Sequence, residues 1–308
     1  MRSAAAVSPE VNQFNQIENP ESPARRKFLK ASLSSLLLPA LSTPWLVSCG
    51  GSSYVPPTPR LTSVTNFRDV AGATDQEAYR TSSGRKLRRG VIYRSNVLVA
   101  SQHDLDTLKT LNIKADYDLR TPGERDTRPF ETPPIGASYI KINLLNTLDN
   151  PPPVVQTSDE CTSYMEKSYT NLVTDKGERD RLAELFGMLA TTSGSQVYHC
   201  SGGKDRTGWV TNILLNVLGV PQDVITQNYM LTNVYSEAAI QVSYQNMITT
   251  YGQPTADVYY PIFIADERYI LAGLNQVVAS YGTMASYIND GLGLSSIVQT
   301  KIRDKFLS

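Results

Sequence analysis

The sequence predicts an α/β fold, with a central, mainly parallel sheet flanked by helices and a helical part at the C-terminal end. Three observations carry this expectation. From residue 61 short apolar runs alternate with segments of helical periodicity. The run Pro151-Pro152-Pro153 can be neither strand nor helix and closes the sheet-forming part. An apolar strand from Ser195 to Tyr198 leads directly into a glycine-containing loop and then a buried helix from Thr207 to Leu218.

The elements follow in order. Val91-Ile92-Tyr93 reads as a short strand, and Ser101 as the cap of a helix that carries Asp104 three residues on and Leu105, Leu108 and Leu111 on one face. A strand from Ile113 to Leu119 is broken by Thr121-Pro122-Gly123, and a further strand runs near Tyr139 to Leu145. Leu182, Leu185, Phe186 and Leu189 recur at helical spacing on a core-facing helix. Gly219 and Pro221 end the helix that follows the glycine loop. Val224 to Met230, Ala238 to Met247, Tyr269 to Val278 and Ile297 to Phe306 then give a helical tail.

A chain of 308 residues with 41% hydrophobic content can bury one sizeable core. The expected organisation is a leader over 1–48, a tether over 49–60 and a single catalytic domain over 61–308. Arg25-Arg26-Lys27-Phe28-Leu29-Lys30 precedes an apolar run too short, and too interrupted by Pro39 and Pro44, to span a membrane. This order resembles a twin-arginine export signal, and Leu46-Val47-Ser48-Cys49 resembles a bacterial lipobox. The expected product is an exported lipoprotein of the cell envelope, on its periplasmic face, held to the membrane by a lipid on Cys49. Gly50 in place of an aspartate points to the outer membrane in a Gram-negative cell. Of 29 basic and 29 acidic residues the leader holds five and three, so the mature chain keeps 24 and 26, a net charge of −2. That balance excludes the broad basic surface of a nucleic-acid binder.

The chemistry concentrates in His199-Cys200-Ser201-Gly202-Gly203-Lys204-Asp205-Arg206-Thr207-Gly208. Strand, loop and helix in this order gather backbone N–H groups around an oxyanion at a helix N-terminus. The loop from Cys200 to Arg206 offers six peptide N–H groups, and Gly202 and Gly203 are expected to supply the backbone angles of the curl. Arg206 closes the ring with a planar fork suited to bidentate phosphate binding. The same positive field favours the thiolate of Cys200, which can attack phosphorus in line and form a cysteinyl-phosphate. Thr207 is placed to hydrogen-bond the sulfur, and His199 to order the loop. No metal or other cofactor is needed. Cys161 is expected as an inert buried thiol, and a pairing with Cys200 cannot be read from spacing.

The loop resembles that of the bacterial tyrosine-specific and lipid phosphatases of the protein tyrosine phosphatase superfamily. Asn66-Phe67-Arg68-Asp69-Val70, Tyr93-Arg94-Ser95, Asp118-Leu119-Arg120 with Glu124, and the tail from Ala265 to Leu307 extend the resemblance over residues 61–308. It implies a protein-tyrosine-phosphatase-like α/β fold without metal, and activity on phosphotyrosine, phosphoserine or phosphothreonine proteins or on phosphoinositides. Through Lys204 it implies an added cation for a second phosphate. Ser201, Gly202, Gly203, Lys204 and Thr207 would bind substrate. Two other readings use the same loop: a rhodanese-like sulfurtransferase and a non-catalytic phosphate-binding lipoprotein. Arg206, Thr207 and the Lys204-Asp205 pair favour catalysis on phosphate.

A leaving oxygen needs a carboxylic acid in reach. Asp205 in the loop is favoured through the resemblance; Asp118 at the end of a strand and Asp149 in the next loop compete with it. Asp118 can instead be held ionised by Arg94 or Arg120. Arg68 with Asp69, and Arg120 with Glu124, are expected as ion pairs bracing the loop. Tyr164, Tyr169, Tyr259 and Tyr260 are read as packing residues and His103 as a solvated one.

Overall fold

A computed structural model describes residues 55–127 and 131–308. The leader (1–48) and Cys49 lie outside the described residues. The described elements are β1 (Arg68–Asp69), β2 (Ile92–Ser95), α1 (Gln102–Thr110), β3 (Ile113–Asp118), α2 (Pro122–Asp126), β4 (Ser138–Lys141), α3 (Ser158–Thr174) and α4 (Lys176–Thr191). After these come β5 (Ser195–His199), α5 (Asp205–Leu218), α6 (Gln222–Tyr235), α7 (Glu237–Tyr251), α8 (Gln253–Phe263) and α9 (Glu267–Tyr281). A short turn α10 (Met284–Ser286) runs into a π-helical turn (Tyr287–Gly291), and α11 (Ser296–Phe306) ends the chain.

The five strands lie in the order β1-β2-β5-β3-β4, with β1 antiparallel and the others parallel. Every residue of β5 is buried, because it is the central strand and helices cover both its faces. Its carboxyl end delivers Cys200 to the edge of the sheet where α/β folds place their sites. Helix α5 then runs back through the core. Its Trp209 is fully buried, edge-on to Tyr169 at 6.3 Å between ring centres and 6.2 Å from Tyr287. Gly219, in the left-handed region at φ 80°, stops α5 as expected.

The element reading holds in outline and differs at three places. The strand expected over Tyr139 to Leu145 runs only over Ser138–Lys141, and the chain after it turns left-handed at Asn146, φ 54°. Thr121-Pro122-Gly123, expected only as a break, opens the one-turn helix α2 with a full capping box, Thr121 to Glu124 and back. Helices α3 and α8 lie outside the expected elements; α8 carries Pro254 in its first turn, where proline costs least, and Pro261 inside the helix, where it removes a backbone donor. No helix among the described residues is long and apolar enough to cross a membrane.

Ser101 caps α1 by accepting from the Asp104 amide at 3.3 Å, but the Asp104 carboxylate does not close the box. It accepts instead from the backbone N–H of Thr62 at 2.9 Å and of Ser63 at 2.6 Å. The clasp fixes the segment that presents Asn66 to the Cys200 loop. Burial opposes the charge on Asp104, yet the hydrogen bonds from Ser63 and Thr62 outweigh it and hold the carboxyl below its ordinary value. A depressed folded-state pKa gives stability that is present above the unfolded value and lost as pH falls through the folded one. Asp104→Ala is therefore expected to cost about 1–3 kcal/mol at neutral pH, a difference from wild type that shrinks in acid below about pH 4. Denaturant melts of both proteins across that range measure it.

Candidate active site

The loop after β5 is shaped by where its carbonyls go. The His199 carbonyl accepts from Leu119 N–H at 2.8 Å and that of Ser201 from Val97 N–H at 3.2 Å. The Gly203 carbonyl accepts from both Asn66 Nδ2 and Arg94 Nη2, each at 2.8 Å. Arg94, fully buried, also holds Thr211 at 3.0 Å and Asn228 at 3.3 Å. Tying these oxygens to the protein behind the loop leaves its N–H groups to turn toward the cavity. Gly203 alone needs to be glycine. Its φ is 68°, and a Cβ there would lie 2.4 Å from the Ser95 carbonyl oxygen. At Gly202 φ is not positive and a Cβ would meet nothing within 4 Å, which corrects the expectation that the curl requires both glycines.

Arg206 is held by Glu124 in a bidentate pair, Nη1 to Oε2 and Nη2 to Oε1, both at 2.6 Å. The same carboxylate caps α2 through Thr121 N–H and accepts from Ser201 Oγ at 2.7 Å. Burial opposes its charge, but Arg206 and Ser201 prevail and lower its pKa to about 2. Glu124 thus fixes the guanidinium in the loop, which corrects the expected pairing of Glu124 with Arg120. Arg120 pairs with Asp118, at 2.9 and 2.7 Å, and with Glu131. Arg68 and Asp69 do not pair either. Arg68 donates to Asn66 and to the Asn228 carbonyl, whereas Asp69 accepts from the N–H groups of Ala71 and Gly90.

Cys200 is buried and lies at the floor of a cavity of about 930 Å³. Burial opposes a thiolate, but Arg206 and the hydroxyl and N–H of Thr207 outweigh it, so the thiol pKa falls below its ordinary value. The Thr207 hydroxyl is buried without another partner among the described residues and is left to the sulfur. Cys161 is a free, buried thiol on α3, pushed up by burial.

Behind the loop His199 is fully buried, its Nδ1 3.3 Å from the Cys200 carbonyl and its Nε2 3.3 Å from Asp116 and 3.2 Å from Glu131. Burial pulls its pKa down, but these carboxylates overcome that and raise it to about 9, so the imidazole behind Cys200 favours its cationic form. The same three groups lie close enough to hold a metal ion; without one, the imidazolium offsets one of the two carboxylate charges.

Of the aspartates, Asp118 is fully buried and held by Arg120 and Tyr139, which keep its carboxyl well below the usual range against burial. It is a structural anion away from the cavity wall. Asp205 lines the cavity, accepts from Tyr169 Oη at 3.0 Å and lies 3.6 Å from the Lys204 ammonium. Asp149 is exposed on the same wall. Lys204 is not free for a second phosphate: Nζ donates to the carbonyls of Ile262 at 2.6 Å and Ile264 at 2.8 Å and clamps the end of α8 to the loop. Tyr169 is fully buried, and Tyr164, Tyr259 and Tyr260 are half-buried, as packing residues should be; His103 is exposed.

Glycine substitutions test this geometry. Gly203→Ala is expected to destabilise the domain by about 2 kcal/mol or more, through the left-handed angle and the clash, and to abolish phosphate binding. Gly202→Ala should melt within about 1 kcal/mol of wild type. Calorimetry with and without inorganic phosphate separates the two.

The comparisons agree with this architecture. The sequence profile of the tyrosine phosphatase family matches residues 59–308. A protein assigned as a tyrosine-protein phosphatase in Cupriavidus necator is 28% identical over 264 residues, 80% of this chain and 94% of that one. The triple specificity protein phosphatase PtpB of Mycobacterium tuberculosis is 28% identical over 160 residues, 49% of this chain and 57% of its own. A tyrosine-protein phosphatase of Nostoc commune is 30% identical over 141 residues, 44% of this chain and 45% of its own. The chain belongs to the tyrosine phosphatase family.

Proposed function

We propose that this phosphatase hydrolyses phosphomonoesters through a cysteinyl-phosphate on Cys200. The observation that carries the reading is the depressed Cys200 thiol within a loop whose carbonyls are tied outward and whose Arg206 is fixed by Glu124. The thiolate attacks phosphorus while the loop N–H groups and Arg206 take the equatorial oxygens, and the ester oxygen leaves with a proton from a carboxyl group on the cavity wall. Water then displaces the sulfur, and Thr207 stabilises the departing thiolate. A sulfurtransferase would have no use for a fork braced to receive a dianion, and turnover of thiosulfate would be its mark.

Phosphotyrosine protein is the substrate class that the cavity suits best. A phosphate alone would not fill it, and Tyr164, Met165, Ile240 and Phe263 give it an apolar wall for an aryl ring. Lys167, exposed on the same wall, supports a phosphoinositide headgroup as the second reading, in place of the occupied Lys204. The twin-arginine order and the lipobox support export and a lipid on Cys49 as the link to a membrane.

Cys200→Ser is expected to abolish turnover while retaining inorganic phosphate binding, because the cradle stays and the nucleophile is lost. Arg206→Lys should lower kcat/KM for a phosphotyrosine peptide by about 100-fold or more, since a point cation cannot replace the fork. Steady-state kinetics on phosphotyrosine peptide, phosphoserine peptide and phosphoinositide vesicles measure both effects and rank the substrates.

A further inference from the structure

The cavity wall carries a carboxyl group that sequence reasoning passed over. Glu178 lies in the first turn of α4, 8% exposed, beside the space above Cys200 and Arg206. Its backbone N–H donates to the cap residue Asp175 at 2.9 Å. Gly177, just before it, packs so closely on Asn146 that a Cβ would lie 2.4 Å from Nδ2. Arg179, just after it, caps the carbonyls of Val173 and Gly291. The first turn of α4 is thereby pressed against the turn after β4, which supplies Leu145, Thr147 and Asp149 to the same wall.

Glu178 Oε2 is buried and has no hydrogen-bond partner among the described residues. An ionised carboxylate there would leave a charged oxygen unpaired away from water, whereas the neutral acid would not. Of the other carboxyl groups of the wall, Glu124 is held by Arg206, Asp205 accepts from Tyr169 with the Lys204 ammonium 3.6 Å away, and Asp149 accepts from the Asn150 N–H on an exposed turn.

We propose that Glu178 is the general acid of the reaction, giving its proton to the ester oxygen as that oxygen leaves. The assignment rests on the phosphatase reading. In the first step the Cys200 sulfur bonds to phosphorus, the bond from phosphorus to the ester oxygen breaks, and the Glu178 proton passes to the departing alcohol or phenol. In the second, water bonds to phosphorus, its surplus proton returns to the Glu178 carboxylate, and the sulfur leaves as thiolate. Burial first, and then Asp175, push the Glu178 carboxyl up to about 8 against the pull of Arg206. Tyr287 is the further titratable group that shares its field. A bound phosphoryl dianion adds negative charge and favours the protonated form further.

The test compares wild type, Glu178→Gln and Glu178→Asp on 4-nitrophenyl phosphate and on an alkyl phosphate across the pH range. Nitrophenolate leaves with little help from a proton, and an alkoxide does not. Glu178→Gln is expected to slow the alkyl ester by about 100-fold or more and the nitrophenyl ester by less than about tenfold. It should also remove the alkaline limb of kcat near pH 8. Glu178→Asp keeps a carboxyl group and should recover part of the alkyl rate. Equal slowing of both esters by Glu178→Gln, or an alkyl rate equal to wild type, overturns the assignment. Protection of Cys200 from iodoacetate by inorganic phosphate shows whether the Gln variant is folded; if it is not, the ratio of the two ester rates in Glu178→Asp decides. A wild-type enzyme that turns over neither ester speaks against the phosphatase reading itself.

Discussion

The carbonyl of Gly203 is the point on which the site depends. A loop of peptide groups binds an anion only if its oxygens are turned away, and an oxygen turned into the protein must find a donor there. Arg94 and Asn66 are those donors, and both are buried. Burial of Arg94 lowers its pKa, as it must for a guanidinium taken from water. Its bonds to Gly203, Thr211 and Asn228 offset that cost and join the loop to α5 and α6. Asn66, at φ 58°, is in turn fixed by the clasp between the Thr62 and Ser63 amides and Asp104. The surroundings of Cys200 are therefore set by residues more than a hundred positions away in the chain.

A second anchor sets the loop's charge. Glu124 is at once the capping-box residue of α2 and the partner of Arg206. One carboxylate so placed ties the guanidinium's direction to a helix end, which no exposed ion pair could do. His199, held between Asp116 and Glu131, adds a cation on the opposite side of Cys200's peptide. The thiol thus faces the fixed guanidinium of Arg206, with Thr207 aimed at it.

Much of this was legible in the sequence. The strand before Cys200, the stop at Gly219 and the helical tail follow from periodicity and glycine chemistry, which are local. Cys200 and Arg206 follow from their spacing. Arg120 with Asp118 was among the pairings the sequence offered, but Arg120 with Glu131 and Glu124 with Arg206 did not follow, because an ion pair is chosen in three dimensions. The helix α3 was legible but unread, since Cys161, Met165, Tyr169 and Leu172 recur at helical spacing on its buried side. Thr121 with Glu124 was a readable capping box that a proline and a glycine between them disguised as a break. Glu178 was legible in the same way: four residues before Leu182, it falls on the buried face of α4 with Leu185, Phe186 and Leu189, where a carboxyl group is the exception.

A cradle that stabilises both the thiolate and the phosphate links the two at Cys200. The rate of Cys200 alkylation by iodoacetate against pH, followed by peptide mass, tests it most directly when run with and without inorganic phosphate. The expected midpoint lies below the ordinary thiol value of about 8.5, with protection by phosphate at the affinity of a competitive inhibitor. An ordinary midpoint together with alkylation indifferent to phosphate would contradict it.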